Sequence, residues 1–137
     1  YYWGDIHIKN YGMERASKIS LAKSAQDEGI LYTFHQDAPV IEPNMLETIW
    51  CAVNRITKNG GLLGEEERVS PLDALKAVTK NAAYQYFEED IKGTLKEGKV
   101  ADLVILDKNI LKVDPMEIKD IQVLETIKEG ETIFKKQ

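Results

Sequence analysis

Residues able to carry chemistry are few in this chain: two imidazoles, His7 and His35, one thiol, Cys51, and a surplus of carboxylates. The sharpest arrangement is His35-Gln36-Asp37, because it follows the apolar run Ile30-Leu31-Tyr32-Thr33-Phe34. An apolar run without alternation predicts a strand buried on both faces, as in a parallel sheet. Folds of that kind gather their active sites at the carboxyl ends of strands, where loops converge. A carboxylate held there can bind a metal or take a proton from an attacking water, so Asp37 is the first catalytic candidate. The plainer reading makes Asp37-Ala38-Pro39 a turn whose aspartate bonds a nearby amide. His35 is a candidate to line the pocket. His7, in Gly4-Asp5-Ile6-His7, is a weaker one, with no partner at ligand spacing.

Other motifs carry less. Cys51 stands beside Trp50 with nothing adjacent to depress its pKa, so an inert structural thiol is expected. The loop Gly60-Gly61-Leu62-Leu63-Gly64 lacks the Gly-Lys-Ser/Thr ending of a phosphate cradle and follows a helix, which leaves it a connector. Glu65-Glu66-Glu67-Arg68 is expected to be a solvated rim. Asp102, just before the run Leu103-Val104-Ile105-Leu106, is expected to fix a turn.

The elements that must position these residues alternate helix and strand over the first part of the chain. Residues 12–28 carry helical signals, with Ile19, Ala22 and Ala25-Gln26 near one face and Gly29 placed as a left-handed cap. Asn44 and Glu47 form a capping-box pattern. The helix they open sets Met45, Leu46, Ile49, Trp50, Val53 and Ile56 on one stripe, and Asn59-Gly60-Gly61 ends it. Ser70-Pro71-Leu72-Asp73 opens another: Ser70 caps, Pro71 takes the first helical position, and Asp73 meets the positive end of the dipole. Its apolar positions are Leu72, Leu75, Ala82 and Tyr86, with Val78 beside them. Beyond residue 90 the character turns to β. Residues 103–106 and 121–127 predict strands, and Lys128-Glu129-Gly130-Glu131 predicts a hairpin turn returning through Thr132-Ile133-Phe134.

Composition bounds the function. The chain has 137 residues and a net charge of −5, which argues against binding nucleic acid, since phosphate backbones need clustered Lys and Arg. No apolar run approaches the ~18 residues of a membrane helix, so no membrane role is expected. The single cysteine allows no internal disulfide and fits a cytoplasmic protein. Two histidines and one cysteine are too few for a self-contained zinc site. A complete eight-stranded α/β barrel, at about 200 residues or more, does not fit. The opening Tyr1-Tyr2-Trp3-Gly4-Asp5, without an initiating Met, suggests a start inside a longer chain.

Taken together, several segments resemble one family. Ser70-Pro71-Leu72-Asp73-Ala74-Leu75 and Asn81-Ala82-Ala83, then Lys92-Gly93-Thr94-Leu95, are similar to the final barrel helix of metal-dependent amidohydrolases. Gly98-Lys99-Val100-Ala101-Asp102-Leu103-Val104-Ile105-Leu106-Asp107 resembles that superfamily's Gly-x-x-Ala-Asp-Leu-Val-Val-Leu-Asp signature. His35-Gln36-Asp37-Ala38-Pro39-Val40 resembles its Ser-Asp-Ala-Pro-Val segment, with Gln36 in the usual Ser position. Tyr1-Tyr2-Trp3-Gly4-Asp5 is similar to the segment around strand seven, and Ala52-Val53-Asn54-Arg55 resembles the branch that contains N-substituted formamide deformylases.

The resemblance implies an α/β fold: the C-terminal part of a TIM-like (β/α)8 barrel over residues 1–90, then strands of a small composite β-sandwich over 91–137. It implies a parent enzyme that hydrolyses C–N bonds of small amide-like molecules with a divalent metal, zinc foremost. Asp37 maps onto the aspartate after strand eight, which contacts the metal or its water and acts as general base. The family's other ligands come from earlier strands, so this chain alone is expected to hold no metal tightly and to be inactive. Exposed half-barrel surfaces are expected to drive self-association. The rival is a non-catalytic half-barrel module that docks on a partner chain. A metal-free hydrolase pairing Asp37 with His35 ranks below both.

Overall fold

The computed structural model describes all of Tyr1–Gln137. After α1 (Gly4–Tyr11), where the sequence predicts one helix over 12–28, the chain forms two short pieces, α2 (Met13–Ala16) and α3 (Ala22–Asp27). The chain leaves the helix between α2 and α3, and Ser20 takes a left-handed φ of 56°. Gly29 caps α3 as predicted. Its φ is 71°, and the Gly29 and Ile30 amides donate to the Gln26 and Ala25 carbonyls at 3.0 and 2.8 Å.

The predicted buried strand over 30–34 does not form. The segment is extended, but the amides of residues 31–36 find no backbone carbonyl. Ile30 and Leu31 are exposed, while Tyr32 and Phe34 pack against the core. A strand exists only through the ladder it forms with a neighbour, and residues 30–34 have none here. The segment is held instead by side chains: Asn81 Nδ2 donates to the Tyr32 carbonyl at 2.9 Å and the Thr33 hydroxyl to Gln85 Oε1 at 2.7 Å.

Asn44 opens α4 (Met45–Asn54), its side chain accepting the Glu47 amide at 3.1 Å. The reciprocal arm of a capping box is absent, because Glu47 accepts a hydrogen bond from the Tyr2 hydroxyl instead, at 3.1 Å. Ile49, Trp50 and Val53 are buried as predicted, but Met45 is exposed. The helix stops at Arg55, left-handed at φ 55°, well before the predicted glycines. Ile56 therefore lies outside it, bridging Leu62 across the connector. Ser70 caps α5 (Pro71–Val78): its hydroxyl accepts the Asp73 amide at 3.1 Å and donates to the Asp73 carboxylate at 2.6 Å. The chain kinks at Thr79 and continues as α6 (Lys80–Gln85). The buried face of this pair is Ala74, Ala77 and Ala83, whereas Leu72 and Tyr86 are exposed. Small side chains let α5 lie close against α4, while Leu75 and Val78 of the predicted stripe pack at the edge of the core, half-buried.

The last part of the chain forms one antiparallel sheet in the order β1 (Leu103–Leu106), β2 (Val123–Lys128), β3 (Glu131–Lys135). Glu129 and Gly130, at φ 53° and 85°, make the tight turn of the hairpin. Asp102 accepts the Glu129 amide at 2.9 Å, fixing that turn as expected. A 3-10 helix at Pro115–Asp120 was not legible in the β-rich pattern. Around it, Ile110, Ile118 and Ile121 join Ile49, Trp50, Val53 and Ala74 in one hydrophobic cluster. The Trp50 indole donates to the Met116 carbonyl at 3.0 Å, Asn54 Nδ2 donates to the Pro115 carbonyl at 2.9 Å, and the Lys119 ammonium lies 4.4 Å from the Trp50 ring. The core thus draws on both sides of residue 90.

Candidate functional site

A cleft of about 340 Å³ opens where α1, the start of α3 and α4 meet. Tyr1, Trp3, Phe34 and Ile41 give it aromatic and aliphatic walls, and both histidines reach it. His7 is placed there by the seating of α1. Gly4 is buried, and a Cβ on it would come within 2.7 Å of Thr57 Cγ2, so only glycine allows this approach. Asp5 completes the seat, accepting the Thr57 hydroxyl at 2.7 Å and the Asn59 amide at 3.1 Å. The His7 ring stacks on Tyr11 with centroids 5.6 Å apart.

His35 is placed by its neighbour. The Gln36 side chain donates from Nε2 to the Asn44 carbonyl at 2.6 Å and the Thr48 hydroxyl at 2.7 Å, pinning the end of the extended segment to α4. Gln36, the departure from the Ser of the resembled motif, thus has a structural task here. Asp37 is exposed, in the left-handed region at φ 53°. Its carbonyl accepts the Val40 amide at 2.8 Å, so the turn forms but closes through the backbone carbonyl and not the carboxylate. Residues 35 and 37 would share a face along a continuous strand. The turn takes Asp37 out of that register, and of the two only His35 lines the cleft.

No group of three or more His, Cys, Asp or Glu side chains converges. The donor set of this chain therefore does not fit a resident metal. Cys51 also faces the cleft. Burial pushes its thiol up and Glu47 adds to this, against the opposing N-terminal amine and Lys119. A thiol so placed is a weak nucleophile, in line with the inert reading.

Two residues of the cleft wall were not among the candidates. Arg55 donates from Nε to the Leu63 and Gly64 carbonyls at 2.9 and 3.2 Å. Its Nη atoms donate to the carbonyls of Ser20, Ser17 and Ile19 at 2.9, 3.3 and 2.9 Å. Burial pulls the guanidinium below its ordinary pKa, with Glu67 and Glu66 opposing that pull. Glu67 is only 5% exposed, which corrects the solvated-rim expectation. It accepts the Ser24 amide at 2.9 Å and the Ser24 hydroxyl. Burial would raise its carboxyl, but the hydrogen bonds from Ser24 and the Lys23 amide, with the charge of Arg55, hold it below the ordinary value. One sequence signal pointed this way: Leu21, where α3 begins, offers no capping oxygen, so the helix had to borrow one.

Comparison with known proteins agrees with this fold. The chain is 29% identical over 129 residues to the N-substituted formamide deformylase of Arthrobacter pascens, covering 93% of this chain and 24% of that protein. It is 41% identical over 107 residues to the Arabidopsis thaliana protein LONG AFTER FAR-RED 3, covering 77% and 18%. Among solved structures, 5-methylcytosine deaminase from Klebsiella pneumoniae superposes with a TM-score of 0.59 at 25% identity, covering 84% of this chain and 27% of that one. The chain thus spans about a quarter or less of the curated relatives it matches. A model of the amidohydrolase family matches residues 2–134, nearly the whole sequence, and the chain belongs to that family.

Proposed function

We propose that this chain works as the C-terminal portion of a hydrolase that cleaves C–N bonds of small amide-like molecules in the cytoplasm. Residues 1–90 would contribute to its barrel and 91–137 to a small composite β-sandwich. The observation that carries the reading is the collinear family match over residues 2–134. In the reaction Asp37 takes a proton from the water that attacks the carbonyl carbon. The C–N bond then breaks, and the departing amine leaves with that proton, giving an acid and an amine. His35 and His7 line the substrate pocket. Any metal in this reading, zinc foremost, needs ligands from outside this chain, and no step is assigned to it.

The test is amine release from a panel of amides and formamides by the full-length protein, with and without Asp37→Asn. The expected loss is about 10²–10⁴-fold in kcat with the circular dichroism spectrum unchanged. Wild-type kcat in the variant would remove Asp37 from the mechanism, and no turnover on any C–N substrate would overturn the reading. The 137-residue chain alone is expected to show none.

One observation favours a second reading, an assembly module that docks on a partner chain. Ile30 and Leu31 are 59% and 58% exposed on a segment without strand neighbours. An antibody against residues 95–137 separates the two: a native polypeptide near 15.5 kDa supports the module, and a band several times larger supports the hydrolase. Light scattering of the isolated chain is expected to show self-association on either view.

A further inference from the structure

The break between α2 and α3 has no cause in its own sequence. The intervening residues are Ser17-Lys18-Ile19-Ser20-Leu21, without glycine or proline. Ser20 nonetheless adopts φ 56°, a conformation that costs a non-glycine residue stability. The flanking residues carry enough helical signal that the sequence predicts one helix through the whole span. Something outside the segment holds it open.

Breaking a helix creates two sets of unpaired groups, carbonyls on one side and amides on the other. Both sets are taken up here by side chains of opposite charge from the far side of the fold. The Arg55 guanidinium collects the carbonyls of Ser17, Ile19 and Ser20, at 3.3, 2.9 and 2.9 Å. The Glu67 carboxylate collects the Ser24 amide and the Ser24 hydroxyl. The signs are those the broken ends demand, a cation on carbonyls and an anion on amides. Gly64 allows the contact, since a Cβ there would lie 2.4 Å from the Ser17 oxygen and 2.8 Å from Arg55 Nη2.

We propose that Arg55 and Glu67 are positioning residues that hold the helix broken between α2 and α3, so that Ile19 and Ser20 join Ala22, at the start of α3, as a wall of the cleft instead of forming a helical turn. This does not rest on the hydrolase reading: it concerns how the cleft is shaped, whatever binds there. Without the guanidinium, residues 17–21 regain helical hydrogen bonds and the wall is withdrawn.

Hydrogen–deuterium exchange of the full-length protein, read on peptides spanning 12–29, tests this. The amides of Ser20 and Leu21 donate to no backbone carbonyl in the present structure. In Arg55→Met they are expected to slow by roughly threefold to tenfold, the protection of one net backbone hydrogen bond. A merely structural role for Arg55 moves exchange the other way. Ser20→Gly relieves the left-handed strain, and in the Arg55→Met background it is expected to restore wild-type exchange. Unchanged exchange at Ser20 and Leu21 in Arg55→Met, or faster exchange confined to them, would overturn the proposal. Should Arg55→Met lose protection throughout, Arg55→Lys decides: slower exchange at these two amides supports it, and unchanged exchange refutes it.

Discussion

The claim that one core spans both halves of the chain is tested by Ile118→Ala. Ile118 sits in the 3-10 helix Pro115–Asp120, with 0% exposure, in the cluster that contains Ile49 and Trp50 of α4. The substitution removes the γ and δ carbons. At ~0.8 kcal/mol per buried carbon the transfer loss is about 2.4 kcal/mol. A residual cavity of roughly 50 Å³ adds about 1 kcal/mol, giving a loss near 3.5 kcal/mol. Urea unfolding of the 137-residue chain reads it directly. With m of about 1.5 kcal/mol/M, the midpoint should fall by roughly 2 M. Trp50 is buried and Trp3 is 53% exposed, so the fluorescence change on unfolding reports α4 and its surroundings. Ile105→Ala in β1, at a residue 45% exposed, is the control and should lose less than half as much. If Ile118→Ala shifted the sheet's circular dichroism signal but left the Trp50 transition in place, the shared core would be refuted.

Three further outcomes follow from the same contacts. Glu67 is held below its ordinary carboxyl value in the fold, so its contribution is present above about pH 4.5 and is lost as pH falls through the depressed value. The stability gap between wild type and Glu67→Gln should therefore shrink in urea titrations run from pH 6 toward pH 3, and a constant gap would refute the assignment. Gly64 and Gly60 both have left-handed φ, 68° and 84°, but a Cβ on Gly64 would meet atoms at 2.4 and 2.8 Å, whereas one on Gly60 would enter open space. Gly60→Ala should cost about 1 kcal/mol and Gly64→Ala roughly 2–5 kcal/mol in thermal unfolding; equal losses would count against the close contact with Ser17 and Arg55. Ser70→Ala removes the α5 cap and should cost about 1 kcal/mol in the same assay, while a change within error would show that the bond from the Asp73 amide adds nothing to the helix.

Features written into neighbouring residues were legible. The caps Asn44, Ser70 and Gly29 and the Glu129-Gly130 turn depend on local spacing, and all form. Features written into distant residues were not. Nothing near Ser20 announces a helix break, because its cause lies at Arg55 and Glu67. Nothing in Glu65-Glu66-Glu67 distinguishes the one carboxylate that is buried, because the amides it serves belong to α3. The alanine face of α5 was misread for a related reason: a hydropathy stripe favours large residues, while close helix packing selects small ones. At the cleft, both histidines line the wall. The sequence could not show that the turn at Asp37 removes that residue from the wall, since the left-handed φ there has no glycine to mark it.

The conflicts between pattern and structure are not scattered. Around α4, α5 and the 3-10 helix, capping, burial and hydrogen bonding agree, and the cluster there is closed. Disagreement concentrates in the apolar run at 30–34, which codes for burial yet exposes Ile30 and Leu31, and in the sheet, where Val104 and Ile133 are exposed. A foldable sequence keeps local and global preferences in agreement, so a segment whose composition asks for neighbours it does not have marks where neighbours belong. Under the proposed function, these are the surfaces that further elements of the fold would cover. Asp37 follows the first of these surfaces directly. Under the proposed function, further donors would come from the elements that cover these surfaces, since those on this chain do not converge while its own core is closed.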